Sequence, residues 1–406
     1  MKIAINGAGI AGPTLAWWLR RDGHEVVLIE ASPRLRQSGY VIDFWGLGYD
    51  VAERMHLVPR LRELGYQVEA VRFVDRRGRT AGGFATDVFE RMTNGRFTSL
   101  RRSDLAAEIF AALDGGVESV FGESIAAIEE HAGGVRLELE GGGRRDVDLV
   151  IGADGLHSRV RRLVFGAEAS FERDLGYYVA AFALEGYTPR DELVYVSHAA
   201  PGRQVSRFSM RNDETLFLFV FRKHYLAGGE PSNPQERQAA LEEAFAGVAW
   251  ECPQIFERMP DAGEIYFDRV SQIVMNRWTR GRTALIGDAA ACVSLLAGEG
   301  AGLAMAEARI LAGELARAEG DYRSAFARYE ARLMPFLRRK QASAARFASS
   351  FAPGTAAGIV FRNVITRLMR LRPVADYFVG RDLRDGLELS EDEQSGPRAA
   401  TRNRVA

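Results

Sequence analysis

Three acidic residues in this sequence each close an apolar run: Glu30 after Val26-Val27-Leu28-Ile29, Asp154 after Leu149-Val150-Ile151-Gly152-Ala153, and Asp288 after Ala284-Leu285-Ile286-Gly287. A carboxylate at the carboxyl end of a strand lies where open α/β sheets bind ligands. One such aspartate is as readily a helix cap or turn residue. Three of them, the first preceded by a glycine turn, point to a ligand site.

That turn is Gly7-Ala8-Gly9-Ile10-Ala11-Gly12, directly after Lys2-Ile3-Ala4-Ile5-Asn6. Gly7 makes the tight turn, Gly9 lets backbone approach a pyrophosphate, and Gly12 lets the helix press onto the strands. The N–H groups at the start of the helix, from Ile10 and Ala11 on, face an anion that the helix dipole also favours. Glu30, followed by Ala31, stands at about the ~20-residue offset at which an acid takes ribose hydroxyls. An ordinary glycine-rich turn lacks that acid, so the pattern reads as a dinucleotide site.

The elements that position these residues begin with a helix over 10–21, stopped at Asp22-Gly23. Helical spacing runs through Val51, Met55, Leu57, Leu61 and Leu64, and residues 68–84 read as a hairpin turning at Asp75-Arg76-Arg77-Gly78. From about Phe171 to Ile273 aromatic-rich strand segments succeed one another almost without helices, the texture of an antiparallel sheet. Residues 283–286 and 302–318 then return to strand and helix.

The expected fold class is therefore α/β: a discontinuous Rossmann-like dinucleotide-binding domain (1–70, 98–170 and 275–345), an inserted antiparallel-sheet substrate domain (71–97 and 171–274), C-terminal helices (346–390) and a disordered tail (391–406). Residues 356–372 read as a basic amphipathic helix that could lie on a membrane surface or bind an acidic partner, but that is expected to pack its apolar stripe on its own protein.

Lysine plus arginine (53) balance aspartate plus glutamate (54), so nothing implies a nucleic-acid partner. Two cysteines, Cys252 and Cys292, are too few for a disulfide framework or a structural zinc site. The six histidines are scattered without metal-like pairing, although His198 and Arg207 could face a cavity at the sheet. No apolar run approaches the ~20 residues that span a bilayer, and a cytoplasmic setting is expected. The oligomeric state is left open between monomer and dimer.

The glycine turn with Glu30, the Gly152-Ala153-Asp154-Gly155 segment with Ser158 and Arg161, and Gly287-Asp288 with Gly298-Glu299-Gly300 together resemble the three fingerprints of the single-component FAD-dependent monooxygenases. That family includes the para-hydroxybenzoate hydroxylases and the tetracycline-inactivating monooxygenases, and a natural-product branch includes FAD-dependent cyclases. The resemblance implies FAD, with NADPH or NADH as a transient reductant. It implies that Gly7 to Gly12 and Glu30 hold the ADP half, that Arg102 contacts the cofactor phosphates, and that Asp288 holds the ribityl chain. Asp154 belongs to the segment associated with both FAD and NAD(P)H. The family arginine after the ribose acid matches Arg36, with Arg34 the other candidate. Gly298, Gly300, Ala301 and Gly302, opening a helix, suit the flavin carbonyl where negative charge gathers on reduction.

Three positions depart from the family: Ala291 replaces a histidine, Leu295 a proline beside the flavin, and Glu299 an amide or lysine. Glu299 either opposes an anionic reduced flavin or turns away as a first-turn acid satisfying the helix dipole. By resemblance the expected activity is NAD(P)H-dependent hydroxylation, through a flavin C4a-hydroperoxide, of a hydrophobic, aromatic or polyketide-like small molecule, in a setting such as antibiotic biosynthesis. The alternatives are a flavin reductase and a cyclase that uses FAD structurally. No catalytic residue is assigned. Tyr177, Tyr178, Phe182, Phe208, Phe217, Phe219 and Phe221 supply candidates for a substrate cavity, though most aromatics at period-two spacing are core.

Overall fold

The computed structural model describes residues 1–36, 40–369, 371–376, 387 and 389. The expected disordered tail at 391–406 lies outside them.

The first strand, Lys2–Asn6, is buried over its last four residues, as a central parallel strand must be. It pairs in parallel with Glu25–Glu30 on one side and Leu149–Gly152 on the other. Thr283–Leu285 extends the sheet in parallel beyond Leu149–Gly152, so strands far apart in the chain lie side by side in a six-stranded sheet. Glu30 ends its strand, and Asp154 and Asp288 follow the carboxyl ends of theirs. The helices Ala11–Arg21 and Gly300–Arg317 pack against each other beside the sheet and share its apolar core.

Residues 70–85 and 172–273 feed a different sheet of seven strands, whose contiguous stretch Tyr266–Ile273, Glu172–Glu185, Glu214–Arg222, Arg203–Ser209 and Val194–Ala200 is antiparallel throughout. Alternation gives it two unlike faces. Tyr178, Phe182, Phe217, Phe219 and Phe221 point to one face and are sealed by the helices Pro234–Ala244 and Cys252–Arg258. Tyr177 and Phe208 point to the other, toward Leu296 and Tyr66. Five of the seven aromatic cavity candidates are thus core under the helices. His198 and Arg207 lie on that helix-covered side too: His198 bonds the Val74 carbonyl and neighbours Trp250, while Arg207 is paired with Glu251 and Asp191.

Three other expectations change. The spacing read across 46–64 is two helices, Gly46–Arg54 and Val58–Leu64, separated where His56 adopts φ +60°. One helix, Tyr322–Phe351, runs through the expected boundary at 345, with Pro335 inside it. The helix Ala356–Leu368 lies on the strand Thr80–Ala85 through a mixed face that includes Asn363 and Thr366. Its Val360, Phe361, Val364 and Leu368 are exposed, the reverse of the expected packing. Among the described residues no helix is long and apolar enough to cross a membrane.

Candidate active site

Gly7 has φ +112°, a conformation that disfavours side chains, and a Cβ there would overlap the Ala153 carbonyl. Its N–H donates to the Ile29 carbonyl at 2.7 Å, so the turn is stitched to both neighbouring strands. Gly12 meets the Gly7 carbonyl so closely that no side chain fits between helix and turn. Ile10 and Ala11 are buried at the helix start. Gly9 is the open position: a Cβ there would lie 3.8 Å from the Arg102 guanidinium, its nearest neighbour.

Glu30 closes the turn from the other side. One carboxylate oxygen accepts the Ala8 N–H at 2.8 Å and the other the Ser32 N–H at 2.9 Å, which fixes its direction and leaves lone pairs free. Ala31, Arg34 and Arg36 follow as exposed residues.

Arg102 opens the helix Arg102–Ala111, and its N–H donates to the Tyr40 carbonyl at 3.1 Å. The guanidinium faces Gly9, and its charge also reaches Asp288. Burial pushes the Asp288 carboxyl up, while Arg102 and a hydrogen bond with Cys292 pull it back. A Cβ on Gly300 would lie 3.8 Å from an Asp288 carboxylate oxygen. Arg102 thus links the glycine turn to Asp288, which in turn neighbours the N-terminus of the helix Gly300–Arg317. Ala301 and Gly302 lie half-buried in that helix's first turn, where N–H groups lack intrahelical partners, and Gly298 precedes it at φ +71°.

Asp154 is used differently. Its carboxylate accepts the Asn6 amide at 2.8 Å, the Ser158 hydroxyl at 2.5 Å, and the backbone N–H groups of Arg159 and Val160 at 2.7 and 3.1 Å. Four donors fill its ordinary capacity, so it braces the segment behind the glycine turn. Arg161, fully buried, ties the same segment to the Ala289 carbonyl and to Glu168.

Glu299 is paired with Lys340 at 2.8 Å. The sequence reading missed Glu307: fully buried, it accepts the Gly287 N–H at 2.7 Å and neighbours the Tyr329 hydroxyl. Burial pushes its carboxyl up to about 8. It also missed the arrangement of His157, which stands between Glu168 (2.9 Å) and Asp268 (3.2 Å); the two carboxylates raise the imidazole to about 9. An alanine-rich helix gives no sign that one of its glutamates is buried, and spacing alone could not bring residues 157 and 268 together.

This row of residues, with its bare glycine backbone, a cation at Gly9 and an acid at each end, fits an extended dinucleotide, and the fold and site define a flavin-dependent oxidoreductase. Residues 1–339 match the FAD binding domain family. A flavin-dependent monooxygenase of Legionella longbeachae is 36% identical over 342 residues, 84% of this chain and 87% of that protein. The crystal structure of the tetracycline destructase Tet(51) matches with TM-score 0.81 and 31% identity over 96% of this chain and 99% of that one. Klebsiella pneumoniae HpxO complexed with FAD and uric acid shares the fold, with TM-score 0.78 and 24% identity over 96% and 98%. The chain belongs to the FAD binding domain family and is an FAD-dependent monooxygenase, with NAD(P)H the usual reductant of such enzymes.

Proposed function

We propose that Gly7 to Gly12, Glu30 and Arg102 hold the ADP half of FAD and that Asp288 and Gly300 to Gly302 hold its flavin half, so that the chain hydroxylates a hydrophobic, fused-ring small molecule at the expense of NAD(P)H and dioxygen. Arg36 serves at the exposed edge beyond Glu30. When bound, FAD supplies the redox chemistry. Glu30 orients the nucleoside end through the fixed direction of its carboxylate. Arg102 offsets phosphate charge and moderates Asp288. The first-turn N–H groups at Gly300 to Gly302 favour negative charge beside them. The six-stranded unit forms the cofactor domain (1–69, 98–170 and 275–351, to the end of the helix Tyr322–Phe351) and the seven-stranded sheet the substrate domain (70–97 and 171–274).

The observation that carries this reading is Arg102, placed to reach both Gly9 and Asp288. The pairing of Glu299 with Lys340 supports redox use of FAD, because the acid that would oppose flavin reduction is already neutralised. The name of the relative Tet(51) suggests tetracycline as a first substrate probe. The test is NADPH consumption by FAD-loaded protein with tetracycline or other fused-ring phenols, under isotopically labelled dioxygen. Incorporation of one labelled oxygen atom supports hydroxylation; turnover without label points to a reductase.

A further inference from the structure

The face of the seven-stranded sheet that carries Tyr177 is apolar at its middle, where Tyr177, Val179 and Val220 pack on Leu296. Its cations gather at one corner. Arg222 is paired across the strands with Tyr177, and its guanidinium lies over that ring at 5.5 Å. Gln204 is paired with Val220, which puts it on the same face and diagonal to Arg222. Arg362 reaches this corner from the helix Ala356–Leu368. Its Nη1 donates to the Gln204 side-chain oxygen at 2.6 Å and to the Phe351 carbonyl at 3.1 Å. Arg222 lies against the same connection: a Cβ on Gly354 would stand 3.0 Å from its Nη2. Both guanidiniums therefore line residues 351–354.

Neither cation meets an acid among the described residues. Arg362 donates only to neutral oxygens, those of Gln204, Asn363 and the Phe351 carbonyl. Burial, with no carboxylate to oppose it, pulls its guanidinium down to about 10. The Arg222 side chain makes no hydrogen bond among the described residues, and its Nε is buried without an acceptor. Gln204 adds a third donor. It is 3% exposed, and because a guanidinium can only donate, the contact with Arg362 fixes which end of the amide is oxygen. The amide N–H2 is left without an acceptor among the described residues. Cations and an amide so enclosed are costly unless a ligand brings the missing acceptor and charge.

Resting on the functional reading above, we propose that Arg222, Arg362 and Gln204 form a subsite for a carboxylate of the substrate, whose rings lie along the apolar middle of the same sheet face toward Leu296. The preferred substrate is thus an aromatic acid rather than a neutral fused-ring molecule. No proton moves in this role. The carboxylate accepts N–H groups from two guanidiniums and one amide, which an ester cannot match in charge.

Equilibrium dialysis of FAD-loaded protein against 1-hydroxy-2-naphthoic acid, its methyl ester and its carboxamide tests this at pH 7. The wild type binds the acid at least about tenfold more tightly than either neutral compound, the size expected for charge-assisted hydrogen bonds. Arg222→Met breaks no hydrogen bond within the protein, so it removes the charge with little structural cost. It reduces the preference to within about threefold, while affinity for the ester and for FAD is unchanged. Arg362→Gln does the same, and Arg362→Lys, which keeps the charge, retains part of the preference. Equal binding of acid and ester, absence of binding by the acid, or an unaltered preference in Arg222→Met would each overturn the assignment. So would loss of FAD affinity in Arg222→Met, which would place the arginine on the cofactor. Failure of the wild type to bind FAD is seen separately and counts against the functional reading instead.

Discussion

Lys340 reaches from the long helix Tyr322–Phe351 to Glu299, its ammonium 2.8 Å from the carboxylate, at the foot of the helix that opens with Gly300. Both side chains are largely shielded, at 13% and 17% exposure, so the pair is screened less than a surface ion pair. It keeps a negative charge from standing unpaired beside the expected flavin position. Lys340→Met is expected to slow flavin reduction by NADPH roughly tenfold and to lower stability by about 1–3 kcal/mol. Adding Glu299→Gln should recover most of both. Stopped-flow absorbance and denaturant melts check this, and a double variant as slow as the single one contradicts it.

Arg102 is the cation that the glycine turn and Asp288 share. Arg102→Ala is expected to raise the FAD dissociation constant roughly 10- to 100-fold, by loss of charge-assisted bonds to phosphate. Arg102→Lys keeps the charge but loses the fork, and should fall between. Fluorescence titration with FAD gives the constants.

His157 bridges two carboxylates and titrates at about 9 in the native state, against 6.5 unperturbed. The native state therefore binds the proton more tightly. The stability this adds is complete below pH 6.5 and is lost as pH rises from there through 9. The imidazole is half-exposed, so the effect is modest. His157→Gln should remove this part of the decline, measured as denaturant midpoint against pH.

Glu307 gives a second slope over a different window. Its native carboxyl titrates at about 8, against 4.5 unperturbed, because it is buried. Between those values the native state holds a proton that the unfolded state has lost, so stability falls as pH rises from 4.5 to 8. Glu307→Gln keeps an acceptor for the Gly287 N–H and should flatten that slope. Glu307→Ala should loosen Gly287 and Asp288 and weaken FAD binding at every pH.

The parts of this site that could be read from sequence are those set by short-range order. Gly7 to Gly12 and Glu30 fall within one strand–helix–strand unit, and Asp288 announces itself by following an apolar strand through Gly287. Which face of a strand meets the other domain is a tertiary fact. Tyr177 and Tyr178 were equal candidates in the sequence, because period-two spacing puts neighbours on opposite faces but does not say that the Tyr178 face is roofed by two helices while the other looks toward the cofactor domain. Asp154 was legible as a strand-end acid, but its four donors come partly from Asn6, which no local pattern supplies.

The most direct test of the central claim is the visible spectrum of purified, FAD-loaded protein mixed without oxygen with NADPH or NADH in the presence of a fused-ring phenol, then exposed to air. The account predicts that the bound flavin bleaches, and that its colour returns with hydroxylated product. A chain that does not retain FAD, or whose bound flavin neither nucleotide reduces, would contradict it.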